Sequence, residues 1–345
     1  MPEPYRLPPV ITDAWGSPRR AGFEFEVGKL PIIGTAKALQ KALGGDLQIK
    51  SPFEAMIRDS SLGKLTIERD ADLLKSTRYR SWLGSLGVSF DPGTIAHGIE
   101  TNIDHASRGL IPCEVVTQPI ELNKLNALDT LVATLSALGA QGTQESVIYA
   151  FGMHINPSVP SLSSEVLARY IKAFLLLYTW IIEASEVDLT RRFFTKYIDP
   201  FPHDYMLLAL DNDYHPSTSQ LIKDYLKHNP TRNRALDMLP ILCELDLDLV
   251  RSALNDEERK LVKGRPAFHY RLPDCKINQV GWSAASAWNR WVNVEYLASD
   301  TTLLEELIDA WRSHDAAFSI APKSSWSTRL TSLLSERLLE GRRPL

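Results

Sequence analysis

The stretch Gly22-Phe23-Glu24-Phe25-Glu26-Val27 constrains this chain more than any other. Successive side chains of a β-strand point to opposite faces, so Phe23, Phe25 and Val27 fall on one side and Glu24 and Glu26 on the other. The aromatic face reads as core. The glutamate face is either solvated surface or an acidic floor that binds a cation, and the rest of the chain decides by what it brings alongside.

Taken in order, residues 1–20 are proline-rich and read as an extended lead-in, ordered where Trp15 packs. Ile32–Leu43 has apolar residues at helical spacing and closes with Gly44-Gly45, a C-terminal stop signal. Lys64–Glu68 alternates like a second strand and runs into Asp70-Ala71-Asp72. Between Leu73 and Pro112 glycines punctuate the chain with no sustained period, which predicts an irregular insertion. Cys113–Pro119 then gives a third strand ended by its proline, Leu122–Leu138 an amphipathic helix, and Val147–Ile155 a fourth strand with His154 and Asn156 near its end.

The second half is mainly helical. Ser161–Ser164 supply N-cap candidates for a long apolar helix from Val166 to Ile182. Further helices are predicted over Leu189–Tyr197, Ser217–His228, Asn233–Leu245, Ala284–Ala298, Leu303–Trp311 and Ser327–Leu339. Pro266–Pro273 interrupts them as a late strand, with His269 and Arg271 on one face and Phe268 and Tyr270 on the other. The pattern is α+β: an antiparallel sheet backed by helices.

The formal net charge of -4 leaves no basic footprint, which argues against nucleic acid or an anionic membrane as partner. The longest uncharged apolar run, Ala173–Ile182, is far short of the ~20 residues that span a bilayer. Residues 1–20 contain no apolar signal core. Cys113, Cys243 and Cys275 are scattered, without a CxxC pair, as suits a reduced cytoplasmic chain.

Several strands end in groups with chemistry: Glu24 and Glu26, Asp70 and Asp72, Glu114, and His154 with Asn156. Singly each reads as structural; together, on one sheet face, they make an oxygen-rich set with one imidazole, suited to Mg²⁺ or Mn²⁺ rather than zinc. A cationic counterpart comes from Arg191, Arg192, Arg232, Arg234 and Arg271. Carboxylates holding Mg²⁺ at one end of a pocket and guanidinium groups at the other are what a nucleoside triphosphate requires. Exposed ion pairs on a helix account equally well for Arg191 and Arg192. The sequence has no GxxxxGK[ST] loop, no GxGxxG turn, no GxSxG elbow and no HExxH helix, so such a site must be built on a sheet surface.

The order Gly22-Phe-Glu-Phe-Glu26, Ile67-Glu-Arg-Asp70, Cys113-Glu-Val-Val-Thr-Gln-Pro119 and Phe151-Gly-Met-His-Ile-Asn-Pro157 resembles the putative amidoligase family. Arg191-Arg192 through Tyr197 and Pro200 resembles its arginine segment, and Trp288–Leu297 its last helix. The resemblance covers about residues 22–298. It implies a catalytic domain similar to that of glutamine synthetase and glutamate-cysteine ligase over 21–300, with an insertion at 73–112 and C-terminal helices at 301–345 packed on it. It also implies an ATP- and Mg²⁺-dependent ligase that joins a small-molecule or peptide carboxylate to an amine through an acyl phosphate.

On that resemblance Glu24, Glu26, Glu114 and His154 fall to the metal, with Asn156 beside them at the nucleotide. Asp70 falls to metal or amine, and Arg191, Arg192, Arg232, Arg234 and Arg271 to phosphate or carboxylate. The chain departs from the family in carrying Asn156 for a second histidine and His269 for a glutamate. Two other readings stay open: a non-catalytic scaffold or peptide-binding module on the same sheet, and a phosphoryl-transfer enzyme that forms no amide.

Overall fold

The computed structural model describes residues 3–69, 112–142, 152–185, 199–318 and 325–339. Asp70 and Asp72, insertion residues 73–111, the start of the predicted fourth strand and the 189–197 helix with Arg191 and Arg192 lie outside these residues. Among the described residues, nine strands form one antiparallel sheet and eleven helices accompany it.

β1 (Arg20–Val27) sits in the interior of the sheet. On one side lie β5 (Cys113–Thr117), β4 (Gly63–Glu68), β3 (Glu54–Ser60) and the edge strand β2 (Asp46–Ser51). On the other lie β7 (Met153–Pro157), β9 (His269–Tyr270) and β8 (Leu236–Asp237), while β6 (Ile120–Glu121) pairs with the start of β1. The alternation read from the sequence is the alternation observed: Phe23, Phe25 and Val27 are fully buried, and Glu24 and Glu26 face the other way, half-buried.

The apolar face rests on helices. Helix α1 (Ile32–Leu43) buries Ile32, Ala36, Leu39 and Leu43 against β3 and against α2 (Leu128–Ala137). It ends where predicted, because Gly44 adopts φ 73° and donates its N–H to the Gln40 carbonyl. Gly45 follows at φ 89°, and a Cβ there would lie 2.3 Å from the Arg58 carbonyl oxygen; only glycine fits this turn into β2. On the other half of the sheet, α3 (Ser164–Ala184) starts on a Ser163 cap that accepts from the Val166 N–H, and it packs against α9 (Ala284–Ser299). Trp288 of α9 lies 6.3 Å from Phe23, and Trp291 lies 5.1 Å from Phe268 and 5.6 Å from Tyr270.

Around the site half of the sheet run α4 (His203–Ala209), α5 (Thr218–His228), α6 (Leu239–Leu245), α7 (Leu247–Ala253) and α8 (Asp256–Leu261). Helices α10 (Thr301–Phe318) and α11 (Trp326–Leu339) close against α3, where Trp326 Nε1 donates to the Leu176 carbonyl at 2.8 Å. None of the described helices is long and apolar enough to cross a membrane.

Several elements differ from expectation: α4, α7 and α8 are not among the predicted helices, and the Pro266–Pro273 strand is regular only over His269–Tyr270. The β2–β3 hairpin is not among the predicted elements, although 46–50 alternates polar and apolar residues and β3 buries Ala55 and Ile57 at alternate positions. Asn233–Leu245 is not one helix: Leu236 pairs with Tyr270 as β8, and the helix begins at Leu239, where Pro240 in the first turn needs no N–H partner. Leu122–Leu138 opens as a 3₁₀ turn over Leu122–Ala127 before α2. Trp15 does not anchor the lead-in, being 70% exposed. Trp288 Nε1 holds the lead-in instead by donating to the Arg6 carbonyl at 2.8 Å, and Arg6 donates to Asn293 Oδ1 at 2.6 Å.

One buried ion pair ties these layers together. Arg19 meets Glu295 of α9 through two contacts of 2.6 and 2.8 Å, with neither side chain exposed. The same carboxylate accepts from Tyr170 Oη of α3 at 2.9 Å and from Trp291 Nε1 at 2.7 Å, and Arg19 also donates to the Ser158 and Val10 carbonyls. Removing one charge strands the other in a site that cannot solvate it. Glu295→Gln is therefore expected to lower unfolding stability by about 3 kcal/mol, read from the urea midpoint at constant slope.

Candidate active site

Register determines what shares the polar face. On β1, Glu26 is the cross-strand partner of Glu114 on β5, and Glu24 that of His154 on β7. Glu114 is in turn opposite Glu68 on β4, and Glu68 is opposite Glu54 on β3. A row of glutamates therefore crosses four adjacent strands. Directly opposed side chains have Cβ atoms about 4.5–5.5 Å apart, a spacing at which like charges destabilise a sheet. Lys50 pairs with Glu54 at the outer end of the row, and Glu26 Oε2 accepts the Gly152 N–H at 2.6 Å at the inner end.

A second group lies beside the row. Glu24 Oε2 meets His154 Nδ1 at 3.0 Å, and Glu24 Oε1 accepts from Asn156 Nδ2 at 2.8 Å. Asn156 Oδ1 accepts from Arg265 at 2.9 Å. The His154 ring meets the His269 ring edge-on, 5.1 Å between centroids, and His269 Nδ1 is 3.1 Å from Asp237 Oδ2. Asp237 is fully buried and also accepts the Leu239 N–H at 3.0 Å. These contacts run without a break across β8, β9, β7 and β1.

The electrostatics follow from burial. Desolvation pushes the His269 imidazole down to about 4, against the pull of Asp237. At neutral pH the ring is therefore uncharged and its contact with Asp237 is a hydrogen bond from Nδ1–H rather than an ion pair. That leaves the lone pair on Nε2, an atom that is buried and makes no hydrogen bond among the described residues. Glu24 behaves oppositely: burial would raise its carboxyl, but the hydrogen bond and charge of His154, with the Arg265 guanidinium beyond, hold it well below the usual carboxylate range. Among the described residues, Glu24, His154 and His269 bring ligand-type atoms within 4.8 Å of one another.

Glu24, Glu26, Glu114, His154 and Asn156, picked from separate strands, thus share one face. Asp70, Arg191 and Arg192 lie outside the described residues. Arg232 has its Nε 3.8 Å from Asp237 Oδ2 with a third of its side chain exposed. The Arg271 guanidinium donates to the Arg232 carbonyl. Arg234, expected among the phosphate-binding arginines, donates instead to the Pro200 and His228 carbonyls and lies over the Phe201 ring, joining the ends of α4 and α5.

Arg265, Asp237 and Glu68 were not singled out from sequence. Arg265 does carry a signal, since residues 265, 267, 269 and 271 share one face at period two. Asp237 carries none, because its role depends on a pairing with β9 more than thirty residues away.

The family model described as putative amidoligase enzyme matches residues 17–293. No curated protein and no solved structure matches the chain.

Asp237 holds both the His269 imidazole and the first turn of α6, so Asp237→Ala leaves two buried donors without partners. A loss of about 2–4 kcal/mol in unfolding free energy is expected, whereas Asp237→Asn, which keeps an acceptor, loses roughly half as much; denaturant titration of the three proteins measures both.

Proposed function

The chain belongs to the putative amidoligase family, whose name points to amide-bond ligases, and on that premise we propose that it is an ATP- and Mg²⁺-dependent carboxylate-amine ligase. The observation that carries this reading is the in-register row Glu68, Glu114, Glu26, opened on the sheet face away from the core. Opposed carboxylates repel one another, and a hard divalent cation turns that cost into binding energy. The donor set is all oxygen, which fits Mg²⁺.

In this reading Glu26, Glu114 and Glu68 would hold Mg²⁺, and the ion would supply neutralisation of the charge on the triphosphate. The Arg271 guanidinium donates to the Arg232 carbonyl, and in this reading both side chains would meet the acid or the transferring phosphoryl group. The family resemblance assigns Arg191 and Arg192 to the same task and Asp70 to the amine. Arg265 holds Asn156, and Asn156 holds Glu24, so this edge of the floor is oriented before substrate arrives.

The reaction balances as two displacements. A carboxylate oxygen of the acid bonds to the γ-phosphorus as the bond to the β-phosphate oxygen breaks, releasing ADP. The amine nitrogen then bonds to the acyl carbon as phosphate leaves, and the amine proton passes to a carboxylate of the floor. Water must be kept from the acyl carbon between the two steps.

ADP release in the presence of Mg-ATP and pooled acids and amines tests the reading. Wild type should turn over, and Glu26→Gln should lose about 10²-fold or more in kcat, the scale of removing one group that stabilises transition-state charge. Equal rates in the two proteins overturn the assignment, and absence of Mg-ATP binding by calorimetry favours the scaffold reading.

A further inference from the structure

We propose that Glu24, His154 and His269 form a second cation site, a two-histidine, one-carboxylate pocket that takes a first-row transition ion of the zinc, cobalt or iron type in preference to Mg²⁺. The ligand-type atoms of the three side chains lie within 4.8 Å of one another, and they stand on three adjacent strands, β1, β7 and β9. The pocket differs from the neighbouring glutamate row in chemistry. The row offers only oxygen, while here imidazoles supply two of three donors.

The independent observation that points to a ligand is His269. Its side chain is 4% exposed, and Nε2, although buried, has no hydrogen-bond partner among the described residues. A buried ring nitrogen left without a partner costs stability unless something else uses its lone pair. Asp237 Oδ2, 3.1 Å from Nδ1, fixes the tautomer that leaves the lone pair on Nε2, in a ring that meets His154 edge-on. A carboxylate behind an imidazole is the usual support of a metal-binding histidine, orienting the ring and raising its basicity.

The other two residues are supported in the same way. Glu24 is held by Asn156 through Oε1, and Asn156 by Arg265. Glu24 Oε2 and His154 share a hydrogen bond, which a cation exchanges for two ligand bonds with release of the shared proton.

Mg²⁺ dehydrates reluctantly and takes oxygen ligands, whereas imidazole suits zinc, iron, cobalt and nickel. A glutamate at position 269 would make the pocket acidic and suited to Mg²⁺; the histidine changes its preference rather than destroying it. This does not require the ligase reading, because binding is read without turnover.

The test uses the full chain stripped with chelator and titrated separately with Zn²⁺ and Mg²⁺ by calorimetry in weakly competing buffer, with Co²⁺ absorption as an optical readout. Zn²⁺ should bind one site at least about 100-fold more tightly than Mg²⁺ and release protons on binding. Asp237→Asn should weaken Zn²⁺ about 10- to 100-fold, the range for outer partners of metal ligands. His269→Glu should weaken Zn²⁺ and strengthen Mg²⁺, a reversal that general destabilisation does not produce.

Equal affinity for the two ions overturns the proposal. So does Zn²⁺ binding that survives His269→Gln unchanged, since the chain has eight histidines and the ion would then sit on others. If the variants fail to fold, X-ray absorption of zinc-loaded wild type decides: two imidazole ligands support the site, and none or one overturns it. Loss of ADP release with zinc binding intact would remove the ligase reading and leave this one standing.

Discussion

The pleat of β1 is the constraint on which the rest depends. Placing Phe23, Phe25 and Val27 against α9 and its neighbours obliges Glu24 and Glu26 to the opposite face, because a one-residue slip would exchange the two sets. Burying two unpaired carboxylates in an apolar core costs several kcal/mol each, so the slipped register is not a competitor. With β1 fixed, each partner strand inherits its alignment, and Glu114, Glu68, His154 and His269 come to the same face. Arg19, immediately before β1, fastens that register through Glu295 to the helical layer beneath. The same pleat that builds the core therefore assembles the polar floor.

The floor divides into two electrostatic regimes. The glutamate row sets like charges side by side at sheet spacing. The Glu24 pocket is already neutralised internally by hydrogen bonds to His154 and Asn156, and its far wall is a neutral imidazole backed by a buried aspartate. A substitution that looks from the sequence like a lost carboxylate is thus partly offset by Asp237, which sits one strand further out and acts through His269 instead of beside it. That reading follows only from the contact between β8 and β9, two short segments that each pair over two residues.

How much was legible varied with how local the cause was. Helix α1 and its Gly44 stop, the Ser163 cap of α3 and the span of α9 are set by periodicity and capping chemistry within a few residues, and they appear as read. The α+β class followed from the same signals. β2 and β3 escaped because their alternating stretches are short: 46–50 spans five residues, and Met56 between Ala55 and Ile57 makes β3 read as one apolar run. The segment 233–245 misled because Leu236, Met238, Leu239, Ile241 and Leu242 are buried on all sides, which hides whether the period is two or near four. The family order of motifs was visible as well, since each of its short strands carries its polar residues at fixed spacing.

The sequence by itself determined which residues alternate, where helices start and stop, and that carboxylates and imidazoles stand on strands otherwise built for a core. It did so because these depend on neighbours within one turn or one pleat. Tertiary structure alone decided which strands lie side by side, and hence that Glu26 faces Glu114, that Arg265 reaches Asn156, and that Arg234 turns to the Pro200 and His228 carbonyls. Pairing across tens or hundreds of residues is selected by the fit of whole apolar faces, not by the polar side chains it brings together. Gly22–Val27 announces a floor on its own; its neighbours across the sheet determine what that floor can hold.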